Sequence, residues 1–168
     1  MVAATVDKDS GKKPVLGADQ ASEDYALRAW HILGGRNSTK PAMRSSLDAH
    51  DMIMKGFDTK ALLHLIESVS FLAVDELLQS AVGISQRTLQ RKRSAERLST
   101  EQSSRLWRFA KILAQATNTL GSQKEAERWI MEPAMGLDNR RPIDLLATAA
   151  GAEAVEEHLT RMEYGVYI

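Results

Sequence analysis

The sequence contains no cysteine, so disulfides, thiolate nucleophiles, iron–sulfur clusters and cysteine-based zinc sites are excluded together. It has no excess charge either: 22 Lys and Arg stand against 22 Asp and Glu, so total charge points to no acidic or basic partner. No stretch approaches the roughly 20 apolar residues that span a bilayer, and the first residues lack the charged-then-apolar pattern of a secretory signal, so a cytoplasmic address without membrane contact is expected. There is no glycine-rich phosphate loop, nucleophile elbow or kinase signature. The four histidines, His31, His50, His64 and His158, show no spacing that joins them to carboxylates as metal ligands. These gaps predict a protein without catalytic residues, metal or cofactor.

What remains is the composition of a soluble globular chain: 168 residues, 43% apolar and 26% charged, enough for one domain or two small ones. No alternating β-branched and aromatic run is long enough for a sheet, and the fold class predicted is all-α. Residues 1–44 read as a mobile leader of mixed Gly, Pro, Lys, Asp and Ser, with a short helix over 25–33 ended by Gly34-Gly35. The packed part is expected to begin near Ser45. Helices follow at 48–55, after Asp58, at 71–80 and from Ser85 to Arg93. A long one starts at Ser99 or Thr100, and Leu106, Phe109, Ala110, Leu113, Ala116 and Leu120 step along it by threes and fours until Gly121. A second unit over 121–168 opens on Ser122 with Glu125 three residues later, a capping-box pattern. It continues with a helix from Pro142 stopped by Gly151 and a last helix over about 152–163 ended by Gly165. Trp107 and Trp129, among apolar neighbours at helical spacing, read as packing residues, and the acidic pair Glu156-Glu157 as a solvated face.

The neutral total hides a strong asymmetry. Residues 85–111 carry eight basic and two acidic residues, a net +6, while 45–84 and 121–168 are each −4 and 1–44 is +2. The basic stretch coincides with a helix-turn-helix pattern: a helix over 71–80, a turn at Gly83, and a polar helix beginning at Ser85. Ser85, Gln86, Arg87, Thr88, Gln90 and Arg91 fall where such a helix reaches base edges, and Lys92, Arg93 and Arg97 where phosphates are neutralised. Two positions depart from the pattern, Gln79 where a small residue is usual and Lys92 where an apolar anchor is usual. On pattern alone, a solvated basic face of an ordinary helix hairpin stays open as the lesser reading.

With these residues in view, the chain from about Ser45 onward resembles the Xre-type antitoxins of RES-Xre toxin-antitoxin modules, a group also described as MbcA/ParS/Xre antitoxins. The likeness rests on VGISQRTLQRKR at 82–93, LSTEQSSRLWRFAKILAQA at 98–116, AERWIMEP at 126–133 and GLDNRRPIDLLATAAGAEAVEEHLTRMEYGVYI at 136–168. Its most specific parts are the run from Pro142 to Gly151 and the closing Glu163-Tyr164-Gly165-Val166-Tyr167. The resemblance implies a helix-turn-helix domain over 45–120 that represses its own operon and a helical toxin-binding domain over 121–168. It implies a RES-domain toxin that degrades NAD and is blocked when the antitoxin's C-terminal end enters its active-site cleft, so that this chain itself binds no NAD. The residues expected at that contact are Arg161, Tyr164, Gly165, Val166, Tyr167 and Ile168: Gly165 turns the chain out of the helix and the aromatic and aliphatic side chains offer rigid apolar area. From the residues alone, the same tail can equally fold back on its own core.

A homodimer with recognition helices about 34 Å apart and an inverted-repeat operator is the expected assembly. Two other readings stay open at the level of sequence: a stand-alone helix-turn-helix regulator with no toxin, and an all-α scaffold indifferent to Arg87 and Arg91.

Overall fold

The computed structural model describes residues 18–39, 42–92 and 96–165. Among them the secondary structure is helical and no strand forms. The centre of the fold is α6 (Thr100–Leu120), whose buried positions include Leu106, Phe109, Ala110, Leu113 and Ala116 but also Trp107, Ile112 and Ala114. An amphipathic helix buries one stripe; α6 is covered on more than one side, because α1 (Ala18–Ile32), α2 (Ser46–Lys55), α7 (Gln123–Met131) and α9 (Ala149–Glu163) all pack on it. One apolar cluster therefore runs from Trp30 and Leu33 through Phe109 to Ile143 and Leu159, and the two halves read from the sequence share it.

The local signals explain most boundaries. Ser99 accepts from the Gln102 amide while the Gln102 side chain accepts from the Ser99 amide, a complete capping box, and Gly121 at φ 88° ends α6. Ser122 accepts from the Glu125 amide at 3.2 Å to start α7, although the Glu125 carboxylate turns to Arg128 instead of closing the box. In α3 (Thr59–Ser68), Asp58 stands at the cap position without a capping bond. Thr59 takes over by donating from both its amide and its hydroxyl to the Glu96 carbonyl.

Three elements differ from the sequence reading. The packed core begins at α1, well before Ser45: Tyr25, Ala26, Ala29, Trp30 and Leu33 are buried, with Leu33 fully enclosed. The helix expected from Pro142 to Gly151 is broken into α8 (Pro142–Leu145) and the start of α9, because Thr148 accepts from the Gly151 amide and opens a new helix. Gly151 is thus a first-turn residue and not a stop. A Cβ there would overlap the Leu145 carbonyl oxygen, which is why the corner needs glycine. The helix placed at 71–80 starts later, as α4 (Val74–Glu76), and widens over Leu77–Val82 into a turn closed by the Gly83 and Ile84 amides, which donate to the Leu78 carbonyl at 2.7 and 3.0 Å.

Candidate functional site

The turn between α4 and α5 (Gln86–Arg91) is fixed by three residues. Gly83 adopts φ 79°, a left-handed conformation costly for residues with a Cβ. Ile84 follows, 4% exposed, and plugs the turn into the core. Ser85 caps α5, its hydroxyl accepting from the Thr88 amide at 3.1 Å and lying 2.9 Å from the Thr88 hydroxyl. Leu89 is the α5 side chain that packs against the cluster. Arg87 and Arg91 lie two residues to either side of it, about 200° away around the helix, so they share the opposite, outward face one turn apart. Both are exposed, as are Gln86 and Gln90, and among the described residues neither Arg87 nor Arg91 enters an ion pair.

Five of the other six cations of the +6 stretch are turned to structural partners. Lys92 donates to the Arg97 carbonyl at 3.4 Å and lies 3.9 Å from Glu96. Arg97 donates to the Gly56 carbonyl at 2.8 Å, closing the end of α2, and stands 3.8 Å from Asp58. Arg105 reaches back over Gly83 and donates to the carbonyls of Ser80 at 2.9 Å and Ala81 at 3.3 Å, capping the helix before the turn. Burial first, and Arg105 beside it second, hold Arg108 below the usual guanidinium range, and its Nη1 lies 3.5 Å from the Leu146 carbonyl. Lys111 pairs with Glu156 at 3.0 Å across α6 and α9. Arg93 lies outside the described residues. Gln79, the first departure from the motif, is exposed, and the small residue two positions on, Ala81, is fully buried.

At the other end of the molecule, α9 runs out at Glu163. The Tyr164 amide still donates to the Thr160 carbonyl at 3.1 Å, and Gly165 at φ 68° turns the chain away. Arg161 and Tyr164 are exposed, so the structure brings Arg161, Tyr164 and Gly165 together at one end. Val166, Tyr167 and Ile168 lie outside the described residues. One turn back, His158 stacks on Trp129 with ring centroids 6.1 Å apart and lies over Gly136, where a Cβ would overlap the imidazole. Burial chiefly, and the Arg161 charge next, hold this histidine below its ordinary pKa.

The joints between the two ends carry no local sequence signal. Glu127 of α7 is 1% exposed and accepts from the backbone amides of Ser70 at 2.9 Å and Phe71 at 2.7 Å, pinning the segment that leads into α4. Arg141 bridges Glu76 of α4 and Asp144 of α8, and the two carboxylates, Asp144 first, hold its guanidinium above its usual range. A third joint links Tyr25, Asn118 and Glu163, from α1, α6 and α9. Burial first and the neighbouring carboxylate second push the Tyr25 phenol up, so it stays protonated and donates. Among the described residues no three His, Asp or Glu side chains gather as a metal site, and no helix is long and apolar enough to cross a membrane.

An exposed, capped helix after a glycine turn, joined through one long helix to a helical C-terminal unit, is the architecture of a helix-turn-helix protein with an appended binding module. The comparisons agree. The family model for the antitoxin Xre-like helix-turn-helix domain matches residues 48–111, and that for the antitoxin Xre/MbcA/ParS C-terminal toxin-binding domain matches residues 115–165. A curated relative, Antitoxin Xre of Yersinia enterocolitica, is 34% identical over 131 residues, covering 76% of this chain and 85% of its own length. Antitoxin Xre of Pseudomonas putida is 26% identical over 167 residues, 98% of each chain. The chain belongs to the Xre family of antitoxins. As a member it is a helix-turn-helix antitoxin of a toxin-antitoxin pair, with a C-terminal toxin-binding domain.

Proposed function

We propose that this antitoxin neutralises a RES-domain toxin that degrades NAD by placing its C-terminal tail in the toxin's active-site cleft, and that it represses its own operon through α5. It acts by binding, without catalysis or cofactor, in the cytoplasm. The observation that carries the DNA half is the outward pair Arg87 and Arg91, one turn apart on a helix whose opposite side is anchored by Leu89. Ser85 and Thr88 hold the helix start, Gln86, Gln90 and Arg91 are the base-reading candidates with Arg87, and Lys92, Arg93 and Arg97 flank them for phosphate contact, for which Lys92 and Arg97 exchange their long ion pairs with Glu96 and Asp58. What supports the toxin half is the position of Arg161, Tyr164 and Gly165 at the free end of α9, with Val166, Tyr167 and Ile168 following in the sequence. A homodimer presents two α5 helices about 34 Å apart to an inverted-repeat operator.

The test is co-expression with the product of the adjacent open reading frame, with cell growth and NAD content as readouts. The full chain is expected to restore both, and a chain ending at Glu163 to restore neither. Full rescue by the shortened chain would remove the tail from the mechanism.

A further inference from the structure

Helix α1 precedes both stretches matched by the family models, yet it packs along α6 as extensively as any helix of those domains. Its polar edge reaches one place. The Tyr25 hydroxyl donates to the Glu163 carboxylate at 2.8 Å. The Asn118 amide donates to Tyr25 Oη and to Glu163 Oε1, each at 3.1 Å, and its orientation is set by Arg28, which donates to Asn118 Oδ1 at 3.2 Å. Donors and acceptors match at every atom of this chain of contacts, and 138 residues separate its two ends.

Glu163 is the last residue of α9, where local physics argues against a carboxylate: the C-terminal end of a helix carries partial negative charge and favours cations, as Arg161 in the same turn does. An acid held there by long-range donors fixes the last turn against fraying. The next residues, Tyr164 and Gly165, are the last of the described ones, and Gly165 breaks the helix at φ 68°.

We infer that Tyr25 and Asn118 are positioning residues for the C-terminal tail: through Glu163 they set where and in which direction the toxin-facing segment leaves α9. The inference rests on the toxin-directed role of the tail proposed above. It makes α1 part of the toxin-binding apparatus, although α1 itself need not touch the toxin. The hydrogen bonds confine the exit point, so less conformational freedom is lost when the tail docks.

The experiment uses the full chain and its Tyr25→Phe variant, which removes one oxygen and keeps the ring packed, with Asn118→Ala as a second variant. Hydrogen exchange of the Tyr164 and Gly165 amides is expected to quicken about fivefold in each variant, the loss of one ordinary hydrogen bond, while the Ala126 and Ile130 amides of α7 keep their protection. Association with the product of the adjacent open reading frame, measured by calorimetry, is expected to weaken by about threefold or more in Tyr25→Phe. In a chain ending at Glu163 the same substitution is expected to change nothing further. Unchanged exchange at Tyr164 and Gly165, or equal weakening with and without the tail, overturns the inference. If removing the tail leaves affinity intact, the toxin-directed reading fails instead, and the exchange data alone then decide whether Tyr25 orders the chain end.

Discussion

Replacing Glu127 by alanine tests how the two ends of the molecule are joined. The carboxylate is 1% exposed and carries two backbone donors, Ser70 and Phe71, on Oε2, while Gln123 donates to Oε1 at 2.7 Å. Hydrogen bonds to a charged group contribute about 1.5–3 kcal/mol each. Ser70 and Phe71 are exposed residues, so water reaches the released amides and each belongs at the lower end of that range. Relief of the carboxylate's own burial subtracts from the total. The net expected for Glu127→Ala is a loss of about 2–3 kcal/mol, which for a chain of this size lowers Tm by about 4–12 °C. Glu127→Gln keeps an acceptor oxygen for the two amides but sets a new amide nitrogen against the Gln123 donor, so it loses the charge and that one bond, and a smaller fall of about 1–2 kcal/mol is expected. Urea denaturation followed by circular dichroism measures both. An alanine variant as stable as the parent, or a glutamine variant as damaged as alanine, would refute the assignment of this carboxylate as the clamp on the segment entering α4.

The joint was invisible in the sequence because its partners are 56 and 57 residues apart, and nothing at position 127 distinguishes a buried acid from the solvated acids around it. Features built from neighbouring residues were legible: the Ser99 and Ser122 caps, the glycine turn at Gly83, the stripe of α6 and the exit at Gly165 all follow from contacts within one or two turns. The break at Thr148 was not, since a glycine reads as a stop unless one sees that Thr148 caps its amide and the Leu145 carbonyl crowds its Cα. Residues 25–33 gave the helix but not its burial, because docking depends on the complementary face of α6. The basic run shows the same boundary most clearly. Its charge was countable, but which cations serve as internal caps depends on carbonyls such as Ser80 and Gly56, brought near only by the fold.

Three further outcomes are expected. Gly83→Ala puts a side chain at φ 79° against the Arg105 guanidinium and is expected to cost about 1–2 kcal/mol in denaturant titration, whereas Gly121→Ala, with open space around its Cα, is expected to show the conformational cost alone. His158 is expected to titrate below 6.5 by NMR. Since its folded pKa is depressed, the unfolded chain takes up the proton first, so stability is full above pH 6.5 and declines as pH falls below it; stability that rises in that window contradicts the buried stack on Trp129. Lys111→Met separates the Glu156 pair between α6 and α9, both partners being partly exposed, and is expected to change thermal stability by no more than about 1 kcal/mol.

The central claim is that α5 and the end of α9 meet different partners, and operator binding by fluorescence anisotropy across a salt series tests it most directly. The Arg87→Ala, Arg91→Ala double variant is expected to lose affinity and preference for promoter DNA at every salt concentration, while the slope of log affinity against log salt, which phosphate contacts set, is nearly kept. A chain ending at Glu163 is expected to bind the same DNA as the full chain does. If the double variant binds promoter DNA with undiminished affinity and preference, α5 is not the reading helix and the account fails.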